Sequence, residues 1–348
     1  MRVLFSCVAI SPYRNEFFNH LATLCDLTVC YEVENSEHKH RDKRWFEDQQ
    51  VNYKKIKLNK KKALIKFTKG DIKALLKKGN FDIVILGHYL SFTALDAIKF
   101  CNKNKIKIGV SADGAKVKKE KKLVTFIKKY LLKKCDFFLS PSKETDDYFK
   151  RYSNKSEKIF RYNFTSLTQK DMLPFIVRGN KQITILSVGQ FIYRKGYDLL
   201  IKIAKEIPAK IIICGGEPTQ EYIDLKKQYN ADNIEFLGFK KKQELKDLYL
   251  QADIFVLPTR EDVWGLVINE AMNYSLPIVT TNACVAGVEL LDSMWIAEVN
   301  GQSIKEKLLE LVNDFETRQR VGKENNSKIQ NHTIENMASR VYEIISKV

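Results

Sequence analysis

The chain predicts an α/β protein made of two doubly wound, Rossmann-like domains facing a cleft, and three observations carry that reading. Short apolar runs of strand length alternate with amphipathic runs of helix length from end to end, the pattern of parallel sheets covered by helices on both faces. The 348 residues exceed what one typical core organises. The charge also splits: residues 1–170 hold 37 Lys+Arg against 18 Asp+Glu, a net of +19, whereas residues 171–348 hold 22 against 24, a net of −2.

In order, the first half reads as strand 2–7, helix 15–24, strands 26–31 and 51–57, helix 63–78, strand 82–86, helix 92–102, strand 106–110, helix 119–134, strand 136–140 and helix 143–151. Strands are assigned to short apolar runs, and helices to longer segments whose apolar residues recur at i, i+3 and i+4. A polar, irregular stretch around 163–180 interrupts the alternation. The second half resumes with strand 183–188, helix 196–206, strand 211–214, helix 219–229, strand 234–237, helix 243–250, strand 253–257, helix 265–274, strand 277–280, a short strand near 294–298, and helices 303–315 and 333–346. The resulting domains are 1–165, a connector over 166–180, 181–330, and a C-terminal helix over 331–348 that can return to the first domain.

Apolar content of 44% and charged content of 29% are those of a globular, soluble protein. The apolar run after Met1-Arg2 is too short for a signal peptide or a membrane span, and no other run approaches 18 apolar residues. Seven scattered cysteines without a CxxC pair read as reduced core residues of a cytosolic protein, not as a disulfide frame or zinc site.

Much of the positive charge is Lys in 54–78 and 116–134. In the latter, Leu123, Val124, Ile127, Tyr130 and Leu131 share one helical face, with Lys121, Lys122, Lys128, Lys129 and Lys133 on others. Such a helix fits a plain solvated surface, or docking on an anionic membrane. Nucleic acid is disfavoured, because neither an aromatic-interleaved basic stripe nor a zinc or RRM signature is present.

The segment Arg260–Met272 carries acids at both ends of an apolar stretch: Glu261 and Asp262 before Gly265, and Glu270 one or two turns into a helix. Val263, Leu266, Val267, Ala271 and Met272 also fit an ordinary buried helix face. The flanking strands 253–257 and 277–280 make the segment part of a βαβ unit, where ligands gather at strand carboxyl ends and helix N-termini. Acids so placed suit a sugar hydroxyl and a ribose.

The second half resembles the donor domain of glycosyltransferase family 4, the group 1 transferases of GT-B fold. Ser187–Gly196 resembles the loop and "KG" helix start that grips a donor diphosphate, naming Gly189, Gln190, Arg194 and Lys195. Cys214-Gly215-Gly216 follows the second strand. Asn233–Phe239 resembles the loop lining the base, naming Gly238 and Phe239. Asp262 to Glu270 resembles the family's two-acid EX7E motif. The first acid is usually Glu, so either Asp262 fills it with shorter reach, which keeps the register, or Glu261 does with a shifted turn. Gln190 stands where the family usually has Arg, and Arg194 can compensate.

The resemblance implies a retaining transferase using a UDP- or GDP-linked sugar, with no metal and no other cofactor. Lys195 would meet the charge growing on the leaving diphosphate, the N–H groups of Gly265, Leu266 and Val267 would supply fixed donors, Glu270 would hold the ribose and Asp262 a donor-sugar hydroxyl. On the acceptor side, Asp113 in Ser111-Ala112-Asp113-Gly114 lies after strand 106–110 and is a candidate for orienting a hydroxyl. His88 after strand 82–86 is its rival, and Arg14 can meet a phosphate of a lipid-linked acceptor. His38 and His40 receive no role. The expected acceptor is a lipid-linked or saccharide precursor at the inner face of a bacterial cell membrane. Alternatives are a GT-B sugar-nucleotide epimerase, a transferase with a soluble acceptor, and a degenerate, non-catalytic membrane scaffold.

Overall fold

The computed structural model describes residues 1–32, 50–58, 60–61, 69–179 and 182–348. The chain divides into two units, Met1–Gln169 with His332–Val348, and Lys170–Asn331.

In the first unit the strands are β1 (Arg2–Cys7), β2 (Asp26–Tyr31), β3 (Lys54–Lys57), the two-residue pair β4 (Lys60–Lys61) and β5 (Lys69–Gly70), β6 (Ile83–Leu86), β7 (Lys107–Ser111), β8 (Phe137–Ser140) and β9 (Ile159–Arg161). Seven of these form one parallel sheet in the order β3-β2-β1-β6-β7-β8-β9. Ile83–Leu86 and Phe137–Ser140 are buried along their whole length, as expected for strands covered on both faces. The helices are α1 (Pro12–Leu21), α2 (Ile72–Gly79), α3 (Phe92–Asn104), α4 (Lys122–Leu132) and α5 (Lys143–Ser153). α1 begins three residues before the sequence reading because Ser11 is its N-cap and Pro12, with φ already set, opens its first turn. Of the predicted helix 63–78, residues 63–68 lie outside the described residues, as do His38 and His40.

In the second unit, β10 (Thr184–Val188), β11 (Lys210–Cys214), β12 (Ile234–Leu237), β13 (Ile254–Leu257), β14 (Ile278–Thr281) and β15 (Ile296–Ala297) form a parallel sheet ordered β12-β11-β10-β13-β14-β15. Its helices are α6 (Tyr197–Ile203), α7 (Gln220–Gln228), α8 (Lys242–Gln251), α9 (Leu266–Asn273), α10 (Val285–Leu290), α11 (Gly301–Asn313) and α12 (Phe315–Ile329). α13 (Ile334–Ile345) then belongs to the first unit, packing its stripe of Ile334, Met337, Ala338, Val341, Ile344 and Ile345 beside α1.

In each sheet the strand order reverses next to its first strand, between β1 and β6 and between β10 and β13. Ligands of open α/β sheets bind at such a switch point, beyond the strand carboxyl ends. The loops that follow β10 and β13 carry Gly189–Lys195 and Pro258–Gly265.

β9, α10 and α12 escaped the sequence reading. α12 buries Gly322, Asn325 and Asn326 beside just two apolar residues, Val321 and Ile329. A Cβ on Gly322 would lie 2.3 Å from the Ser275 carbonyl, Asn325 Nδ2 donates to Leu276 O at 2.9 Å, and Asn326 Nδ2 donates to Leu173 O at 3.1 Å and to Asn273 O at 3.0 Å. Contacts made by small and polar residues leave no periodic signal. Residues 170–179, read as part of a connector, pack on the second unit: Leu173 N donates to Asn273 Oδ1 and Ile176 N to Ser275 Oγ, both at 3.0 Å.

Candidate functional site

The site of the second unit is built from the two loops at its switch point. After β10, a turn over Tyr193–Lys195 ends at Gly196, whose φ of +71° opens α6. Any other residue there would be doubly opposed, since a Cβ would fall 1.9 Å from the Pro258 carbonyl oxygen. This close approach brings the turn onto the loop after β13, and hydrogen bonds knit the two. Arg260 N donates to Arg194 O at 2.8 Å, Arg194 Nη1 to Glu261 O at 2.6 Å, and Thr259 Oγ1 to Arg194 O at 2.9 Å. The Arg260 guanidinium lies over the Tyr193 ring at 4.1 Å and is held by Asp198 at 2.6 and 2.7 Å.

Within this frame Lys195 Nζ donates to Asp262 Oδ2 at 2.6 Å, the two side chains being 11% and 13% exposed, and Arg194 Nη1 stands 3.5 Å from the other Asp262 oxygen. The Cys284 thiol is pushed up to about 12, first by its burial and then by the Asp262 charge, so it is a neutral neighbour. Gly265 is the N-cap of α9 with φ of +100°, and a Cβ there would lie 2.9 Å from Cys284 Sγ. The first turn of α9, including the N–H groups of Leu266 and Val267, offers donors that no intrahelical carbonyl reaches and the positive end of the helix dipole. Gly189 sits beside Lys195: its N–H donates to Cys214 O at 2.8 Å, its carbonyl accepts from Tyr197 OH at 3.0 Å, and a Cβ on it would touch Lys195 Cε at 3.1 Å. Gln190 is exposed on the same loop.

Glu270 lies one turn into α9 and accepts from the Tyr249 hydroxyl at 3.0 Å. Tyr249 is a neutral donor, because burial first and the Glu270 charge second hold its pKa well above the ordinary value. Gly238 and Phe239 follow β12 beside Cys214, whose Sγ donates to Gly238 O at 3.6 Å, and a Cβ on Gly238 would lie 2.5 Å from Glu217 Oε1. Tyr249, Glu217 and the Arg260–Asp198 brace escaped the sequence reading, because their partners lie 21 to 62 residues away and share no local spacing with them.

Asp262 takes the lysine, and the main chain of Glu261 takes Arg194. Asp262→Asn is therefore expected to reduce turnover of a sugar nucleotide more than Glu261→Gln does, in parallel steady-state assays. A larger loss from Glu261→Gln would assign the first acid to Glu261.

In the first unit, Asp113 lies beyond the carboxyl end of β7, but its carboxylate is engaged. Tyr13 OH donates to Asp113 Oδ2 at 2.6 Å, and Arg14 Nη2 pairs with Oδ1. Burial works against the Arg14 charge, and the Asp113 carboxylate beside it raises the pKa above its ordinary value. Arg14, expected to meet an acceptor phosphate, is 7% exposed, lies 5.4 Å from the centre of the Phe5 ring and is paired with Asp113 inside the unit. Asp113, 34% exposed, keeps an open side but is positioned by Tyr13 and Arg14. His88, on the loop after β6, is exposed, with Nε2 3.2 Å from Leu90 O.

α4 also differs from its reading. Lys128, counted among the solvated lysines, is 12% exposed: its ammonium meets Glu120 at 2.6 Å and lies 5.1 Å above the rings of both Tyr148 and Tyr152. Against the upward push of burial, hydrogen bonds from Lys128, Tyr152 and Thr125 hold the Glu120 carboxyl below its ordinary value. Leu131 and Leu132 are buried beside Lys128, whereas the rest of the apolar side turns out: Leu123 is 68% exposed and Phe126 65%, with Val124, Ile127 and Tyr130 also exposed. Among the described residues no helix is long and apolar enough to cross a membrane.

Two doubly wound parallel units in one chain define the GT-B class of fold. The crystal structure of Anabaena HepE in complex with UDP is similar in fold over 100% of both chains, with a TM-score of 0.80 at 13% identity. Residues 170–328, nearly the whole of the second unit, match the family model of the glycosyl transferases group 1. An uncharacterized glycosyltransferase of Methanocaldococcus jannaschii is 32% identical over 141 residues, 39% of this chain and 40% of that protein. The alpha-galactosylglucosyldiacylglycerol synthase of Streptococcus pneumoniae is 27% identical over 139 residues, 38% of this chain and 37% of that protein.

Proposed function

We propose that this protein is a retaining glycosyltransferase that moves a sugar from a nucleotide-sugar donor to a lipid-linked or surface-polysaccharide precursor at a membrane face. The observation that carries the reading is the Lys195–Asp262 pair beside the Gly265 N-cap of α9, at the switch point of the second sheet. When the glycosidic bond of a nucleotide sugar breaks, negative charge grows on the β-phosphate. A lysine and a helix N-terminus fixed in advance stabilise that charge more in the transition state than in the ground state. No metal is assigned a part. Glu270, steadied by Tyr249, is suited to the two ribose hydroxyls, and Asp262 to a hydroxyl of the departing sugar. HepE binds UDP in its crystal structure, which supports a nucleotide-sugar donor. The glycolipid synthase named above supports a lipid acceptor.

The test is slow hydrolysis of a panel of UDP- and GDP-sugars by the purified protein with excess chelator present. Release of sugar from one of them, abolished in Lys195→Ala, is expected. Donor binding without any turnover would instead select a non-catalytic scaffold, and turnover only after added divalent metal would remove the metal-free mechanism.

Membrane docking rests on α4. Its outward side combines Leu123, Phe126, Ile127 and Tyr130 with Lys121, Lys122 and Lys129, and burying a Leu or Phe side chain is worth about 1.5–3 kcal/mol. Each exposed lysine adds about 1 kcal/mol near an anionic surface. Co-sedimentation with anionic vesicles is expected to fall with salt and to drop roughly tenfold or more in Leu123→Ser/Phe126→Ser, with donor hydrolysis unchanged. Lys128 is left intact in this variant because it holds Glu120. Equal pelleting of variant and wild type would leave α4 a solvated surface.

A further inference from the structure

The geometry points to Arg178 as a positioning residue that sets the donor-site carboxylate Glu270 through Tyr249. This rests on the reading that Glu270 holds the ribose. Arg178 is 8% exposed and its guanidinium bridges the carboxyl ends of two helices. Its Nη1 donates to Leu250 O at 2.7 Å and to Ala252 O, at the end of α8. Its Nη2 donates to Tyr249 O at 3.3 Å and, across to α9, to Tyr274 O at 2.5 Å. These are carbonyls that a helix terminus leaves open, at the end of the dipole that favours a cation. Burial lowers the Arg178 pKa to about 10, with Asp253 opposing, so the group remains charged at neutral pH.

What Arg178 ties together matters more than that it caps. Tyr249 and Tyr274, the two residues whose main chains it joins, stack their rings at 5.0 Å with 7° between planes, and Tyr249 OH donates to Glu270 Oε2. Tyr274, as C-cap of α9, takes its own N–H back to the Glu270 carbonyl at 3.2 Å. One guanidinium therefore fixes the spacing between the residue that orients the Glu270 side chain and the residue bonded to its main chain. Arg178 is itself clamped from α12: Gln319 Nε2 donates to Arg178 O at 2.7 Å and Gln319 Oε1 accepts from Arg178 N at 3.5 Å. A fixed carboxylate is what a bidentate contact to adjacent hydroxyls requires, because small misplacements of a site group are costly.

The experiment measures calorimetric affinity for whichever of UDP and GDP the wild type binds, and for inorganic pyrophosphate, which has no ribose. Arg178→Lys and Tyr249→Phe are each expected to weaken the nucleotide roughly tenfold, the loss of one hydrogen bond to a charged group, while leaving pyrophosphate unchanged. In a Glu270→Ala background neither change should weaken the nucleotide further. Tyr249→Phe removes one hydroxyl, so it decides the matter if Arg178→Lys does not fold. A loss shared equally by pyrophosphate, a loss that persists without Glu270, or wild-type affinity in both folded variants would overturn the proposal. If Glu270→Ala alone leaves nucleotide affinity intact, the ribose reading itself fails and this inference falls with it.

Discussion

Lys195→Ala is expected to lower kcat for sugar-nucleotide turnover by about 10²–10³-fold, the usual cost of removing one fixed donor from a developing oxyanion. Lys195 is buried on the turn after β10, with its ammonium 2.6 Å from Asp262. Two effects act in the same direction when it is removed. The β-phosphate loses the cation that meets its growing charge, and Asp262 keeps Arg194, 3.5 Å away, as the remaining cation among the described residues to offset its own repulsion of the diphosphate. The variant should therefore bind the free nucleoside as the wild type does, bind the nucleoside diphosphate more weakly, and lose most in kcat. Thermal unfolding of the variant separates this from loss of fold. An equal loss for nucleoside and nucleoside diphosphate would remove Lys195 from the phosphate site.

Glu270→Gln is expected to weaken nucleoside diphosphate binding by roughly 10- to 100-fold, because hydrogen bonds to a charged group contribute about 1.5–3 kcal/mol each and every 1.4 kcal/mol is tenfold. The amide keeps the size of the side chain, and its oxygen can still accept from Tyr249, so the fold should stand. The loss should be absent for inorganic pyrophosphate and should appear for the nucleoside alone. That pattern is the reverse of the one expected for Lys195→Ala. The two variants together divide the site into a phosphate end and a ribose end, and calorimetry on the three ligands reads both.

The architecture was legible because it depends on period and order. Apolar runs of strand length, such as Ile83–Leu86 and Ile254–Leu257, are buried throughout, and their alternation with helices gave the two parallel sheets. The two loops at the switch point of the second sheet were legible because backbone geometry leaves marks in the sequence: Gly196 and Gly265 both stand at positive φ where a side chain would collide. What could not be read is contact between distant positions. Arg14 looked like a loop cation because nothing local reveals that Asp113, 99 residues on, neutralises it. The lysines of α4 look alike in sequence, yet Lys128 alone is set between Tyr148, Tyr152 and Glu120. α12 was hidden because two asparagines and a glycine stand among its buried residues and leave just Val321 and Ile329 as an apolar signal.

On the proposed function, the second unit seats a nucleotide sugar with its diphosphate at Lys195 and the start of α9 and its ribose at Glu270. A crystal structure with the nucleoside diphosphate bound tests it most directly. Phosphate oxygens are expected within hydrogen-bond reach of Lys195 Nζ and of the N–H groups of Gly265, Leu266 or Val267, with both ribose hydroxyls on the Glu270 carboxylate. A nucleotide seated away from the loops after β10 and β13, or seated there with its ribose against Lys195 and its phosphates against Glu270, would contradict it.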